Sequence, residues 1–383
     1  MNLKSENLVE IRRDFHRFPE LGFKEKRTKD KIIGYLKELG LDVHSGAGIV
    51  GVLRSGEGSK VIGLRADMDA LPIRETNTHD YVSNNTGVMH ACGHDGHMAM
   101  LLGAAHKLST NANFSGTIVF IFQPNEELGL GAKAMMDEGL LENFPMQEIY
   151  GMHNLPGVPT GELLTRSGII CSSESLFEIK IKGMGGHSSM PQLGRDAITI
   201  GAEVVQALQT IISRRIASGS GAVVSVTEFI SNGQRNVLPG ETILKGDVRT
   251  RRPDDRKKIE LFLHQITSGI ASAHDIEIEV SFETEFIETI NHIKPTEAVL
   301  KTAKKSGLKV TDCKPMSFSE DFAHFSNAVP GCFFLLGNGI DGANNKPLHS
   351  SDYDFNDDLL SIGADFWANL AKNRLSTEGS NSV

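Results

Sequence analysis

The sequence predicts an α/β protein in which a doubly wound domain is interrupted by an inserted α+β domain. In the first part of the chain, short apolar segments such as residues 60–65 and 117–122 alternate with helical patterns, as buried strands and crossover helices do. From about residue 175, apolar and polar residues alternate within each strand, which is typical of a sheet with one exposed face. The buried pattern returns near residue 290. We therefore expect one domain from residues 1–174 and 289–383, and an inserted domain from residues 175–288.

The spacing of apolar residues predicts the individual elements. In the larger domain we expect helices over residues 8–17, 28–39, 98–108, 296–306 and 359–375, and strands over residues 60–65, 117–122, 149–153 and 331–336. In the inserted domain we expect strands over residues 175–182, 222–230, 242–249 and 277–282, and helices over residues 196–212 and 254–273. The small, polar residues from 376 to 383 are typical of a disordered tail.

Composition and charge restrict the class of protein. Of the 383 residues, 39% are hydrophobic and 23% are charged, which is typical of a globular protein. The net charge of −9 argues against nucleic acid as a ligand, and no apolar run is long enough to span a bilayer. The first 13 residues lack the apolar core of a secretory signal, so we expect a cytoplasmic protein. Cys171, Cys313 and Cys332 are too scattered for a disulfide framework and are expected to be buried.

The segment at residues 89–98 contains the strongest candidate ligands. Cys92 and His94 lie two residues apart among glycines, and a thiolate and an imidazole are good ligands for borderline-soft divalent metals. The segment follows a strand with a polar end and leads into a helix, so we expect both residues to bind metal. We expect His90 and His97 to be structural, with His97 on the first turn of the helix and pointing away from the ligands.

Two adjacent acids, Glu126 and Glu127, follow the apolar strand at residues 117–122. A solvated acidic turn is the alternative, but the strand is too apolar to lead into a surface turn. Since neighbouring side chains point in different directions, one carboxylate can bind metal while the other acts as a general base on water. His153 ends the next predicted strand, and we expect it to be a ligand. His349 lies in a polar loop before the last helix, and its spacing alone leaves a surface role open.

The inserted domain carries three polar candidates at turns or strand ends: His187, Asn236 and Arg249. Each is open to two interpretations, a surface residue or a group that contacts substrate when the domains close. The glycine-rich segment before His187 lacks the Gly-Lys-Ser/Thr ending of a phosphate-binding loop, so we do not expect a nucleotide site.

Together these motifs resemble the M20 metallopeptidase family, specifically its amidohydrolase branch of hippurate hydrolases, bacterial N-acyl-amino-acid amidohydrolases and plant auxin-conjugate hydrolases. The resemblance extends from about residue 16 to residue 357. The matching motifs lie at residues 17–21, 65–72, 90–95, 123–127, 186–187 and 236–239. The resemblance implies a zinc-exopeptidase-like catalytic domain and a ferredoxin-like lid and dimerisation domain, and hence a homodimer.

The resemblance also implies a role for each candidate residue. It implies two close divalent metal ions per subunit, bound by Cys92, His94, Glu127, His153 and His349. Glu126 matches the general base, and Asp69 matches a carboxylate that orients a ligand. His187 matches a lid residue that stabilises the oxyanion in the active site of the other subunit. Asn236 and Arg249 match lid groups that hold the carbonyl and the carboxylate of the substrate.

Two positions depart from the pattern of the wider family. Most members have a metal-binding histidine at the start of the first motif, where this chain has Asp67. Cys92 replaces that ligand, as is usual in this branch. Asn125 stands before the glutamate pair where the branch usually has a small residue, and we expect it to reshape one wall of the acyl pocket.

The expected reaction is metal-dependent hydrolysis of the amide bond of an N-acyl-L-amino acid of the hippurate or N-acetyl type. A dipeptidase or carboxypeptidase would use the same chemistry and differ only on the acyl side. A catalytically idle binding protein is a third alternative, which the complete ligand set argues against. A thiolate ligand favours zinc over magnesium, but manganese, cobalt and nickel stay open as the working ion.

Overall fold

The computed structural model describes residues 8–376, so the tail expected to be disordered lies, apart from Ser376, outside the described residues. The chain divides into two compact units. The first unit consists of Met1–Ile170, Thr289–Lys314 and Asp321–Val383, and the inserted unit consists of Cys171–Glu288 and Pro315–Glu320. The sequence-based division places residues 1–174 and 289–383 in one domain and residues 175–288 in the other. It therefore assigns the short segment Pro315–Glu320 to the larger domain, whereas the structure groups this segment with the inserted unit.

The helices and strands follow one another largely in the order that the apolar spacing indicates. The helices are α1 (Leu8–Arg17), α2 (Lys26–Glu38), α3 (His94–Thr110), α4 (Gly131–Asp137), α5 (Leu140–Asn143), α6 (Ala197–Thr210), α7 (Pro253–His274), α8 (Ile293–Lys305), α9 (Ala323–Ala328) and α10 (Leu359–Arg374). The strands are β1 (Asp42–Ser45), β2 (Ile49–Ser55), β3 (Val61–Asp67), β4 (Gly116–Gln123), β5 (Glu148–Pro156), β6 (Leu163–Thr165), β7 (Gly168–Cys171), β8 (Ser173–Lys182), β9 (Gly186–His187), β10 (Val223–Ser231), β11 (Val237–Leu238), β12 (Glu241–Thr250), β13 (Glu277–Phe286), β14 (Thr289–Asn291), β15 (Val310–Asp312) and β16 (Gly331–Gly339). Among the described residues, no helix is both long and apolar enough to cross a bilayer.

The first unit is built on an eight-stranded mixed sheet with the strand order β1-β2-β4-β3-β5-β16-β6-β15. Strands β4, β3, β5 and β16 run parallel at its centre, and every residue of β4 is buried. Burial on both faces explains why these strands are continuous apolar runs in the sequence. Helices α1, α2, α3, α8 and α10 contribute apolar side chains to the core of this unit.

The chain order reverses at β3, because β4 pairs with one side of this strand and β5 with the other. Ligand sites of open α/β sheets lie at such a reversal, outside the carboxyl ends of the strands. Here β3 ends at Asp67, β4 ends at Gln123, and β5 carries His153 near its carboxyl end. The sheet therefore brings three separated polar segments to one edge.

Helix α3 begins at His94, earlier than the apolar spacing from residue 98 predicts. Gly93 precedes it with a φ of +92°, a conformation that glycine adopts freely and other residues rarely do. A Cβ at this position would also lie 2.3 Å from Oδ1 of Asn154. The glycine turns the chain directly from the Cys92 loop into the helix, which places His94 on its first turn.

The inserted unit is a four-stranded antiparallel sheet in the order β10-β12-β8-β13, against which α6 and α7 pack. Buried and more exposed residues alternate along β8, as the sequence predicts. Helix α6 begins after Asp196, whose carboxylate accepts a hydrogen bond from the backbone N–H of Ile198. This βαββαβ arrangement is ferredoxin-like, and the predicted fold class is confirmed for both units.

A buried ionic network lies at the carboxyl ends of β3 and β4. The guanidinium of Arg65 donates to Oε1 of Gln123 at 2.7 Å and to Oδ2 of Asp67 at 2.7 Å. It also donates to Oδ1 of Asp321 at 3.0 Å. The side chains of Arg65, Asp67 and Asp321 are fully buried, so the arginine is a counter-charge for two carboxylates that water cannot reach.

We expect Arg65→Met to lower the free energy of unfolding by about 3–5 kcal/mol, because it leaves buried carboxylates without that counter-charge. Denaturant titration of the purified variants measures the change. Arg54→Met is the control, since Arg54 is exposed on β2 and its change is expected to stay within about 0.5 kcal/mol. Equal losses in the two variants would contradict the assigned role of the network.

Candidate metal centre and active site

Three of the expected ligands come together around the first turn of α3. The donor atoms of Cys92, His94 and Glu127 all lie within 4.8 Å of one another, and Nε2 of His94 is 3.8 Å from Oε1 of Glu127. Cys92 and His94 follow β3 along the chain and Glu127 follows β4, so their convergence depends on the parallel pairing of these strands. A thiolate, an imidazole and a carboxylate form a ligand set that suits zinc-like ions.

Two buried polar atoms of this group have no hydrogen-bond partner within the described part of the chain and could both bind a cation. Among the described residues, Nε2 of His94 and Oε1 of Glu127 are buried and have no hydrogen-bond partner. Nδ1 of His94 donates to the backbone O of Asp69 at 2.9 Å, so in the neutral imidazole Nε2 carries the lone pair. Leaving both acceptors buried and unpaired is unfavourable, and a divalent metal ion would satisfy them together.

His153 and His349, which are farther away in the sequence, also lie next to Cys92 and Glu127. Nε2 of His153 on β5 is 3.3 Å from Sγ of Cys92. Nε2 of His349 is 3.4 Å from Oε2 of Glu127, and the backbone N–H of His349 donates to the backbone O of Ala91 at 2.8 Å. Glu127 therefore faces His349 with one oxygen and His94 with the other, and the structure gathers all five candidate ligands.

The protonation states of the group respond to its burial and its excess of carboxylates. Burial raises the pKa of the Cys92 thiol well above its usual value, and the carboxylates of Glu127 and Glu126 raise it further. Burial alone would lower the pKa of His94, but nearby carboxylates, chiefly that of Asp67, outweigh burial and raise this pKa to about 10. A bound cation would oppose both effects, because it favours the thiolate and the neutral imidazole.

Asp69 contacts two of the candidate ligands, Glu127 and His94. Its Oδ2 accepts a hydrogen bond from the backbone N–H of Glu127 at 3.1 Å, and its Oδ1 lies 3.3 Å from Nδ1 of His94. The residue is buried. These contacts suit a carboxylate that orients a metal ligand without binding the metal itself.

His97 does not point away from the ligands, so that expectation is wrong. Its ring centroid lies 4.5 Å from that of His153 and 5.5 Å from that of His94. Its Nδ1 is 2.6 Å from Oδ1 of Asp67, and its Nε2 is 2.8 Å from Oδ1 of Asn154. The early start of α3 is the reason, because it places both histidines on the end of the helix that faces the sheet edge.

Glu126 follows a residue with an unusual backbone conformation. Asn125 has a φ of +46°, which asparagine tolerates better than most residues, and its backbone N–H donates to Oε1 of Glu25 at 3.0 Å. Glu126 is buried and does not belong to the group formed by Cys92, His94 and Glu127. Glu127 therefore belongs to the group of candidate ligands, and Glu126 lies outside that group.

Within the inserted unit, His187 and Asn236 lie on one two-stranded ribbon. Strand β9 pairs with β11, which places His187 opposite Val237. The backbone N–H of Ser188 donates to the backbone O of Asn236 at 3.2 Å. Asn236 directly precedes β11, and the side chains of His187 and Asn236 are both exposed.

Arg249 lies on β12, and its guanidinium is already engaged. It forms an ion pair with Glu174, and its Nε donates to Oδ2 of Asp247 at 2.9 Å. Its Nη1 donates to Oγ of Ser319 at 3.0 Å. A substrate carboxylate would have to replace one of these partners.

Sequence reasoning missed part of the structure that supports the site. Nδ2 of Asn154 donates to the hydroxyl of Tyr353 at 2.7 Å, and this amide also binds His97. The position of Asn154 directly after His153 is a signal that could have identified it. Asp321, which binds Arg65, offers no comparable signal, because no other candidate lies near it in the sequence.

A thiol, three imidazoles and a carboxylate at the edge of an α/β sheet, with a second buried carboxylate beside them, define a metal-dependent hydrolase. The comparison with protein families is more specific, since residues 63–373 match peptidase family M20/M25/M40. The chain belongs to this family, and its relatives confirm the resemblance to the amidohydrolase branch.

Similar proteins cover nearly the whole chain. The hippurate hydrolase of Campylobacter jejuni is 38% identical over 367 residues, which cover 94% of this chain and 94% of that protein. Thermostable carboxypeptidase 2 of Saccharolobus solfataricus is 36% identical, with 93% of this chain and 92% of that protein covered. The crystal structure of the Bacillus subtilis YXEP protein, a dinuclear metal-binding M20 peptidase, is similar with a TM-score of 0.85 and 30% identity, and the match covers 97% of this chain and 99% of that chain.

Proposed function

We propose that the chain hydrolyses the amide bond of N-acyl-L-amino acids and releases a carboxylic acid and a free amino acid. The observation that carries the proposal is the position of Glu126, a buried carboxylate next to the ligand Glu127. A carboxylate beside a metal site, but not used as a ligand, suits the activation of water for attack on a carbonyl carbon. The similarity to a hippurate hydrolase supports the N-acyl substrate.

We propose that two divalent metal ions are held by Cys92, His94, Glu127, His153 and His349. Glu127 would contribute to holding the ions with both carboxylate oxygens, because these face different histidines at 3.8 and 3.4 Å. The similarity to the dinuclear YXEP protein supports this number of ions. When bound, the ions polarise the substrate carbonyl and lower the pKa of water. The thiolate favours zinc, and manganese, cobalt or nickel would also suit the remaining ligands.

In this mechanism Glu126 takes a proton from the attacking water and later delivers it to the leaving nitrogen. His187 donates a hydrogen bond to the carbonyl oxygen as negative charge develops on it. Asn236 holds the substrate carbonyl before attack. Arg249 holds the substrate carboxylate in two hydrogen bonds, for which it exchanges one of its present carboxylate partners.

We further propose a cytoplasmic homodimer formed through the inserted domain, in which His187 of one subunit completes the active site of the other. Mixing His187→Ala with Glu126→Gln is then expected to restore activity that neither variant has alone. In each hybrid dimer one site retains both intact residues, so random mixing should give about a quarter of the wild-type activity per subunit.

The control for this experiment is a mixture of Glu126→Gln with the double variant Glu126→Gln/His187→Ala, in which every site lacks the general base. Absence of rescue in the first mixture, with hybrid dimers verified by two different tags, would contradict the shared site. Activity would then have to depend on residues of a single subunit.

The test of the reaction is hydrolysis by metal-reconstituted protein, with release of the free amino acid as the readout. N-benzoyl, N-acetyl and indole-acetyl amino acids are compared with dipeptides that have a free amino group, and Glu126→Gln protein excludes a contaminating hydrolase. We expect N-acyl amino acids to be preferred. Preference for unblocked dipeptides would instead favour the peptidase alternative, which the similarity to the carboxypeptidase supports. No release from metal-loaded protein would contradict both.

A further inference from the structure

We propose that His16, Glu75 and His79 form a separate site for a divalent cation of the zinc type, which shares no residue with the proposed catalytic centre. His16 lies on α1, and the other two residues lie in the loop that follows β3. The three candidate donor atoms lie within 4.8 Å of one another. The inference goes beyond the hydrolytic function and does not depend on it.

The spacing of these donor atoms fits a tetrahedral metal ion. Nε2 of His16 is 3.1 Å from Oε1 of Glu75, and Nε2 of His79 is 3.3 Å from the same oxygen. Zinc binds such ligands at about 2.0–2.2 Å, which separates neighbouring ligands of a tetrahedron by roughly 3.3–3.5 Å. Only small side-chain movements are needed for the three groups to bind one ion, with a solvent molecule as the fourth ligand.

The imidazole of His79 supplies a second observation. Both of its ring nitrogens are buried, and neither has a hydrogen-bond partner among the described residues. The ring is held by stacking on Tyr81, with 3.7 Å between centroids and 13° between planes. The side chain as a whole is 18% exposed, but its two nitrogens are shielded from solvent and unsatisfied, which is unfavourable, and a metal ion beside Glu75 would satisfy one of them.

His16 and Glu75 are each oriented by a hydrogen bond to the side-chain atom that is not proposed to bind the ion. Both ring nitrogens of His16 face carboxylates: Nδ1 lies 2.8 Å from Oδ2 of Asp95, and Nε2 lies 3.1 Å from Oε1 of Glu75. With a proton held on Nδ1, a metal ion would take the place of the proton between Nε2 and Glu75. Oε2 of Glu75 accepts a hydrogen bond from the backbone N–H of Ser83 at 2.7 Å, and Oε1, which accepts one from Nδ2 of Asn77 at 3.0 Å, faces both histidines. A carboxylate that holds the second nitrogen of a ligating histidine is the usual support of a metal site.

The local charge also favours a cation. The guanidinium groups of Arg12 and Arg13 contribute two positive charges. Four carboxylates surround them and the histidines, namely Asp95, Asp354, Asp357 and Glu75. With neutral imidazoles the sum is two minus four, a net charge of −2, which one divalent ion would balance. The ion would tie the loop that carries His79 to helix α1.

The experiment is anomalous diffraction at the zinc edge from crystals of the wild-type protein, combined with metal analysis of variants in solution. We expect an anomalous peak between His16, Glu75 and His79. We also expect His79→Gln to bind one ion fewer than the wild type, while His44→Gln, which removes an exposed histidine, binds the same number. His94→Ala should lose ions of the catalytic centre and keep this one.

Two outcomes would overturn the proposal. One is a wild-type map with no peak at these residues while the catalytic centre is occupied. The other is an equal number of bound ions in His79→Gln and the wild type. If His79→Gln does not fold, the wild-type map decides alone. Because occupancy of this site is measured independently of hydrolysis, failure of the proposed activity would leave the result interpretable.

Discussion

Replacing Glu126 with glutamine is expected to lower kcat by roughly 10²–10⁴-fold while the protein keeps its metal. The amide of glutamine has nearly the same shape as the carboxylate but cannot take a proton from water. Glu126 is buried beside the ligand group and does not belong to it, so metal binding should survive the change. Steady-state kinetics and metal analysis on the same sample measure both effects.

Glu127→Gln is the matched control, because the same change at the neighbouring position removes a ligand that faces two histidines. We expect this variant to lose metal as well as activity. Loss of activity alone in one variant, and of activity and metal in the other, would identify Glu126 as the general base and Glu127 as a metal ligand. A Glu126→Gln enzyme with a kcat near that of the wild type would remove Glu126 from the role of general base.

His94→Ala is expected to abolish both metal binding and activity. Changes to residues that merely support a metal ligand reduce affinity by roughly 10–100-fold, and loss of the ligand itself should exceed this range. His94 is fully buried, and among the described residues its Nε2 has no hydrogen-bond partner. Metal content after dialysis and hydrolysis of the preferred substrate are the measurements.

His106→Ala is the control for this variant, since His106 lies on the same helix and outside the candidate ligand groups of the described residues. It should retain metal and activity. Retention of the full metal content by His94→Ala would place the metal elsewhere and contradict the proposed ligand set.

The buried central strands could be predicted from the sequence because they are buried on both faces. Residues 118–122 are a continuous apolar run within the strand predicted at residues 117–122, and the observed strand is Gly116–Gln123. The hairpin of β1 and β2 could not be predicted in the same way. Strand β1 has four mostly exposed residues without apolar periodicity, and only its antiparallel pairing with β2 defines it.

The site residues also differ in whether local sequence spacing or a long-range contact brings them together. Cys92 and His94 are close in sequence, and local spacing was enough to indicate a metal site. His349 could not be assigned from spacing, because its loop meets the Cys92 segment through a backbone hydrogen bond to Ala91, which is far away in the sequence. The contact between Arg65 and Asp321 is equally long in range, and neither residue carries a local pattern that indicates it.

The most direct test of the catalytic centre is the structure of the metal-loaded protein, with the ions located by their anomalous scattering. We predict two ions about 3.5–4 Å apart, bridged by Glu127, with Cys92, His94, His153 and His349 as the other protein ligands at about 2.0–2.3 Å. Ions bound without Cys92 and His94, or a loaded protein in which His349 remains beyond bonding distance of both ions, would contradict the account.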